Sequence, residues 1–152
     1  MADVIVLDSG PLGDACRKRG HPDVERLTRW WIHAMANGAI VAIPEIADYE
    51  VRRGLLGAGA LDGVERLDEL RNDLRHYIPI TTAAMHKAAE LWADARRKGL
   101  ATADDKELDA DVILAAQAPL FTGLTDTLDV ATYNPRHLAR YLDARHWKDI
   151  AP

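Results

Sequence analysis

Cysteine is almost absent from this chain. The single Cys16 cannot close an internal disulfide, so the fold must rest on its core rather than on a covalent staple. No apolar run approaches the ~20 residues needed to span a bilayer. The opening MADVIVLDSGP has neither the basic stretch nor the long apolar stretch of a secretory leader, so a cytoplasmic protein with no membrane association is expected. Positive charge is also in deficit. With 19 Lys+Arg against 24 Asp+Glu the formal net charge is −5, which excludes a broad basic nucleic-acid surface and restricts any such contact to local cations. The six histidines lack metal-ligand spacing, and Cys16 has no paired base, which argues against a zinc centre and against thiol catalysis. There is no internal repeat and no low-complexity tract.

What remains is a chain of 152 residues, 48% apolar and 28% charged, with material for one full core. Short runs rich in Val and Ile alternate with longer segments of helical spacing, which reads as α/β. Val4 to Leu7 is continuously apolar, as expected of a parallel strand covered on both faces, and it ends at Asp8, Ser9, Gly10 and Pro11. A helix is predicted from about Pro22 to Ala36, a strand over Ala39 to Ile43, and helices from Pro44 to about Leu56 and from Leu61 to Leu74. His76 to Ile80 reads as a short strand, and Thr82 to Lys98 as a segment capped by Gly99. The polar stretch Thr102 to Glu107 is the most loop-like part and a candidate mobile edge of a site. Asp109 to Ala118 is an Ala-rich helix, Leu128 to Thr132 a strand and Pro135 to Leu142 a short helix. Trp147 to Ile150 is read as an edge strand. No domain boundary is apparent.

Three acids stand where these elements begin or end. Asp8 closes the first strand, and in a parallel sheet functional groups gather at the carboxyl ends of strands; the bland alternative is a carboxylate capping the next turn with Ser9. Glu50 lies in line with Ile46 and Gly54, beside the apolar stripe of its helix, where an ionised carboxylate needs a cation, either Arg53 or a metal. Asp109 suits the helix cap, which leaves Asp111 free to point toward the strand ends. If Asp8, Glu50 and Asp111 converge, they repel one another unless a cation neutralises them. An all-oxygen donor set favours Mg²⁺ or Mn²⁺, and phosphate ester chemistry follows.

Four segments carry a resemblance: Val4 to Leu12 (VIVLDSGPL), Pro44 to Leu55 (PEIADYEVRRGL), Leu108 to Ala118 (LDADVILAAQA) and Val130 to Leu138 (VATYNPRHL). In this order they resemble the PIN-domain family, including the VapC-type toxins of toxin–antitoxin pairs, from residue 4 to about 142. The resemblance implies one PIN-like domain over 1–152, a three-layer α/β/α sandwich around a parallel sheet. It also implies a Mg²⁺- or Mn²⁺-dependent endoribonuclease leaving a 3′-hydroxyl and a 5′-phosphate, a homodimer, and an antitoxin partner. The family's acids fall on Asp8, Glu50 and Asp111. A fourth acid expected two residues after Thr132 is replaced by Asn134, with Asp129 and Asp109 as possible reserves; Ser9, Arg53 and His137 complete the candidate site. Arg52, Arg53, Arg96, Arg97, Lys98, Arg136 and Arg140 are the local cations available to phosphates.

A second reading is a PIN-like binding or assembly module weak in catalysis, and Asn134 is the feature that favours it. A phosphoryl-acceptor domain with Asp8 as acceptor fares worse, because Asp8-Ser9-Gly10 lacks the Asp-x-Asp of aspartate-nucleophile phosphatases. Trp30 and Trp31 are adjacent on one helix and cannot face the same direction, so one is expected half exposed as part of a partner surface, unless a neighbouring helix covers both.

Overall fold

The computed structural model describes residues 3–18, 20–73, 76–100, 109–121 and 127–152. Five strands, β1 (Val4–Leu7), β2 (Ile40–Pro44), β3 (Tyr77–Ile78), β4 (Leu128–Ala131) and β5 (Ala144–Arg145), form one sheet in the order β3-β2-β1-β4-β5. Every pairing is parallel, with Val4 opposite both Ile40 and Leu128, and Val6 opposite Ala42 and Val130. The strands are short, and β1, in the middle of the sheet, is buried on both sides, which is why it reads VIVL without alternation.

Helices cover both faces. On the Ile5 and Leu7 side lie α1 (Ser9–Ala15), α2 (Pro22–Ala36), α3 (Glu45–Gly57) and α4 (Leu61–Asp73), whose Leu12, Leu27, Val51 and Leu67 join Val41 and Ile43 in one core. On the Val4 and Val6 side lie α5 (Thr82–Arg97), α6 (Ala110–Phe121) and α7 (Pro135–Leu138), which supply Ala84, Ala88, Ile113, Leu114 and Leu138 to a second core. This is the three-layer α/β/α sandwich. The chain order reverses between β1 and β4, so their carboxyl ends frame the crevice where ligands bind in open α/β sheets.

One buried polar side chain ties the layers together. Gln117 is fully buried in α6; its amide donates to the Ile78 carbonyl (2.9 Å) and its Oε1 accepts from the Ile46 N–H (3.4 Å). It therefore holds α6 to the end of β3 and to the first turn of α3, the helix that carries Glu50.

Several expectations are corrected. Ser9 to Pro11 is the first turn of α1: Asp8 caps it by accepting from the Ser9 N–H at 2.8 Å, and Pro11 sits in the first turn, where a missing N–H costs nothing. Cys16 is the C-cap of α1, and burial pushes its thiol up to about 11, which leaves it unreactive. Pro44 ends β2 instead of opening the following helix. The expected helix Pro135 to Leu142 stops at Leu138, and the expected strand His76 to Ile80 shrinks to two residues. The edge strand is Ala144–Arg145, while Trp147–Asp149 is a 3₁₀ turn. Trp30 and Trp31 are both buried in the first core; Trp147 folds back against Trp30 (ring centroids 5.6 Å apart), and the Trp30 indole donates to the Ile150 carbonyl at 2.9 Å. The stretch 102–107 lies outside the described residues. Among the described residues, no helix is long and apolar enough to cross a membrane.

Candidate active site

Asp8 is the first residue beyond β1, with its backbone bonded across to β4 through the Ala131 carbonyl (3.0 Å). Its two carboxylate oxygens have separate tasks. Oδ1 caps α1, and Oδ2 accepts from the Thr132 hydroxyl at 2.7 Å. Thr132 is fully buried and directly follows β4; its Oγ1 also accepts the Asn134 N–H at 3.0 Å. Asp8 is thus fixed by groups from both strands of the crevice.

Glu50 and Asp111 reach the same place from α3 and α6. Burial is the main reason the Glu50 carboxyl is pushed above its ordinary range, and the negative charges of Asp8 and Asp111 add to it, opposed by Arg53 and by a hydrogen bond with Ser9. Asp111 is raised in the same way, first by burial and then by Asp8 and Asp109, against His137 and Arg140. Glu50 therefore sits in the field of Asp8 and Asp111, and Asp111 in that of Asp8. The neighbouring cations are weakly engaged: Arg53 stands 3.9 Å from Glu50, and His137 Nδ1 stands 3.6 Å from Asp111 Oδ2. Among the described residues, no group of three or more His, Cys, Asp or Glu side chains is placed so that it could hold a metal ion. The carboxylates are linked by their charges and are not drawn together as a ligand set.

Of the other candidates, Asp109 caps α6 through the Val112 N–H (3.4 Å) and adds its charge to Asp111. Asn134 turns its amide to His137 Nδ1 (3.2 Å), and so borders the Asp111 corner. Asp129 does not join. It lies opposite Ile5, two residues before the end of β4; Arg145 (3.3 Å) and Asp143 are the side-chain charges that act on it. Among the cations, Arg52 is taken up by Asp48 (2.9 Å) and Asp68 (2.8 Å), and Lys98 by Asp94 (2.7 Å). Arg53 and Arg140 are the ones whose charge reaches the acids.

No family model matches the sequence, and no curated protein matches it. Solved structures do match. VapBC2 from Rickettsia felis bound to a DNA fragment from its promoter has a chain that aligns with a TM-score of 0.70 at 18% identity, covering 95% of this chain and 98% of that one. FitAcB from Neisseria gonorrhoeae aligns at 0.60 with 20% identity over 96% and 99%, and DNA-bound VapBC from Salmonella typhimurium at 0.62 with 17% identity over 97% and 99%. The chain has the PIN-like fold. Coverage is nearly complete on both sides, so the likeness extends from the first strand to the last turn.

Within the PIN-like fold, sequence reasoning overlooked α1 and what leans on it. Tyr133, next to Thr132, lays its ring on Gly10 so closely that a Cβ there would stand 2.7 Å from Tyr133 Cδ2. Its hydroxyl donates to Asp14 Oδ2 (2.5 Å) and accepts from Trp147 Nε1 (3.3 Å). Burial and the bond to Asp14 push that phenol up to about 12. The available signal was the pairing of Gly10 with a helix cap at Asp8: a glycine in a first helical turn needs a reason, and close approach of a neighbour is one.

Proposed function

We propose that this chain is a metal-dependent endoribonuclease, the toxin of a toxin–antitoxin pair, with Asp8, Glu50 and Asp111 holding a Mg²⁺ or Mn²⁺ ion. The observation that carries the reading is that the Glu50 and Asp111 carboxyls are both raised by burial and by the negative charge of Asp8, with Arg53 and Arg140 only partly opposing it. The donor set is all oxygen and suits a hard divalent ion, which would relieve the repulsion. A divalent ion bound there supplies positive charge to a phosphodiester in its transition state and makes a water more acidic.

The rest is done by side chains of this protein. Thr132 and the Ser9 N–H hold Asp8 in one orientation, so its charge is placed before substrate arrives. Ser9 steadies Glu50, and Asp109, by capping α6, leaves the Asp111 carboxylate free to face the crevice. Glu50 and Asp111, both raised first by burial, are the acids suited to accept a proton from the attacking water. Arg53 and Arg140 lie near enough to meet phosphate oxygens. An antitoxin protein is a partner in this reading, in keeping with the VapBC and FitAB structures that share the fold, and the reading also takes the chain to act as a homodimer.

Purified protein is expected to cleave RNA with Mg²⁺ or Mn²⁺ and not with EDTA. Asp111→Asn should abolish cleavage and, without metal, raise stability by up to about 1 kcal/mol by removing one repelling charge. Full activity in a folded Asp111→Asn protein would overturn the assignment. Asn134 favours a second reading, a binding module: its amide pairs with His137 and brings no charge to the site. Metal-independent RNA binding without cleavage would support it.

A further inference from the structure

Three residues, Thr132, Tyr133 and Asn134, connect β4 to α7, and the two outer ones are already tied to the site. Thr132 donates its hydroxyl to Asp8 Oδ2 (2.7 Å), and the same oxygen accepts the N–H of Asn134 (3.0 Å). A hydroxyl bonded to the backbone two residues on closes a small turn. The Thr132 backbone is fixed separately, by the Arg145 carbonyl (2.9 Å). Its hydroxyl is not. The oxygen keeps its place before Asp8 only while the turn stays closed, so the orientation of Asp8 depends on what holds residues 132–134 in shape.

Tyr133 is what holds them. Gly10 and Asp14 stand four residues apart in α1, one above the other on a single face, and Tyr133 lies along that face. Its ring rests on Gly10, where a Cβ would stand 2.7 Å from Cδ2; its hydroxyl donates to Asp14 Oδ2 (2.5 Å) and accepts from Trp147 Nε1 (3.3 Å). The hydroxyl is thus used once as donor and once as acceptor, which gives its proton one direction, and burial together with the Asp14 bond keeps the phenol protonated. His146 flanks the ring (centroids 5.1 Å apart). Helix α1 itself begins at the Asp8 cap. Tyr133 therefore clamps the turn that aims Thr132 onto the helix that Asp8 opens, through bonds and packing that involve none of the three acids.

We propose that Tyr133 is a positioning residue: it keeps the turn of residues 132–134 closed against α1 and so fixes the direction in which Asp8 presents its carboxylate. The proposal rests on the ribonuclease reading for the chemistry that Asp8 serves, and adds to it a residue that acts through Thr132. Misplacing a reacting group by about 1 Å can cost about a hundred-fold in rate while substrate binding stays as it was. A loss confined to kcat therefore separates this role from a direct contact with RNA.

Gly10→Ala is the decisive variant, since the added methyl pushes the ring off α1 while alanine is the better helix former. In EDTA, nuclear magnetic resonance of the metal-free protein should show faster exchange of the Thr132 hydroxyl proton and shifted signals from the Ser9 amide and the Asp8 carboxyl carbon. With Mg²⁺, kcat for RNA cleavage should fall on the order of ten- to a hundred-fold with KM kept. Tyr133→Ala should reproduce both changes, and Gly10→Ala should add nothing in Tyr133→Ala protein, because the ring it displaces is gone. Tyr133→Phe keeps the ring and loses both hydroxyl bonds, so it should fall between; it needs no repacking and carries the same test if Gly10→Ala does not fold. Unchanged Thr132, Ser9 and Asp8 signals with kcat kept would overturn the proposal whatever the melting temperature does, and leave Tyr133 a packing residue. A raised KM with kcat kept would overturn it too, by making Tyr133 an RNA contact. A parent protein that does not cleave RNA overturns the ribonuclease reading alone, and the metal-free spectra then decide whether Tyr133 positions Asp8.

Discussion

At the scale of single residues, the site is defined by how few cations oppose its acids. Asp8 carries the helix cap and the Thr132 bond at once, so replacing it disturbs structure as well as charge, whereas Asp111 is free of such tasks. Position 134 is the informative one. Its amide lies 3.2 Å from His137 Nδ1, which itself stands 3.6 Å from Asp111, so a carboxylate placed there would border the cluster and raise its total negative charge. Site charge is one determinant of affinity for hard cations. Asn134→Asp is therefore expected to tighten Mn²⁺ binding several-fold in calorimetric titration and to lower metal-free stability, the two changes having opposite sign because one charge causes both. Equal affinities in the two proteins would place residue 134 outside the site.

At the scale of elements, Gln117 decides whether α3 and α6 present Glu50 and Asp111 to the same crevice. Gln117→Leu keeps the volume but leaves the Ile78 carbonyl and the Ile46 N–H without their partner in a fully buried place. Stranding such groups costs about 1–3 kcal/mol, and in a chain of this size each kcal/mol lowers the melting temperature by roughly 2–4 °C. A calorimetric scan should show a drop of several degrees; no change would mean that other contacts hold the two helices in register. The elements also show what could be read in advance. β1, α2, α3 and α6 were legible because burial on both faces or on one stripe writes itself as a run or a period, and with them the places of Asp8 after β1, Glu50 within α3 and Asp111 in the first turn of α6. α1 was not, because Ser9-Gly10-Pro11 carries turn chemistry and is made helical by the Asp8 cap and by Tyr133 packing on Gly10. The burial of Trp30 was hidden for a similar reason, since Trp147, more than a hundred residues away, supplies its cover.

For the molecule as a whole, the raised carboxyls of Glu50 and Asp111 make stability depend on pH, and the proposed metal site adds an expected dependence on divalent cations. Glu50 and Asp111 are raised by burial and by Asp8, so the folded protein holds their protons more tightly than the unfolded chain does. Stability from this source is fully present below the ordinary carboxylate range, near pH 4, and is lost as pH rises through the raised values. Asp68 and Asp94 act in the opposite sense, held low by bonds from Arg52 and Lys98, but both are solvent-exposed and contribute little. The metal-free protein should therefore be more stable in mildly acidic solution than at neutral pH. Mg²⁺ should reverse this, because it binds ionised carboxylates and adds RT ln(1 + [L]/Kd), about 2.7 kcal/mol at a hundred times Kd. The gain in melting temperature from Mg²⁺ is expected to be large at neutral pH, small near pH 4 and absent in Asp111→Asn. The removed charge in that variant stabilises the metal-free protein at neutral pH and does nothing where the carboxyl is already protonated, so the two proteins should converge on acidification. Thermal scans of both across pH, with and without Mg²⁺, provide the measurement. A Mg²⁺ shift that is the same at both pH extremes, or that survives Asp111→Asn, would mean that the ion binds somewhere other than between Asp8, Glu50 and Asp111.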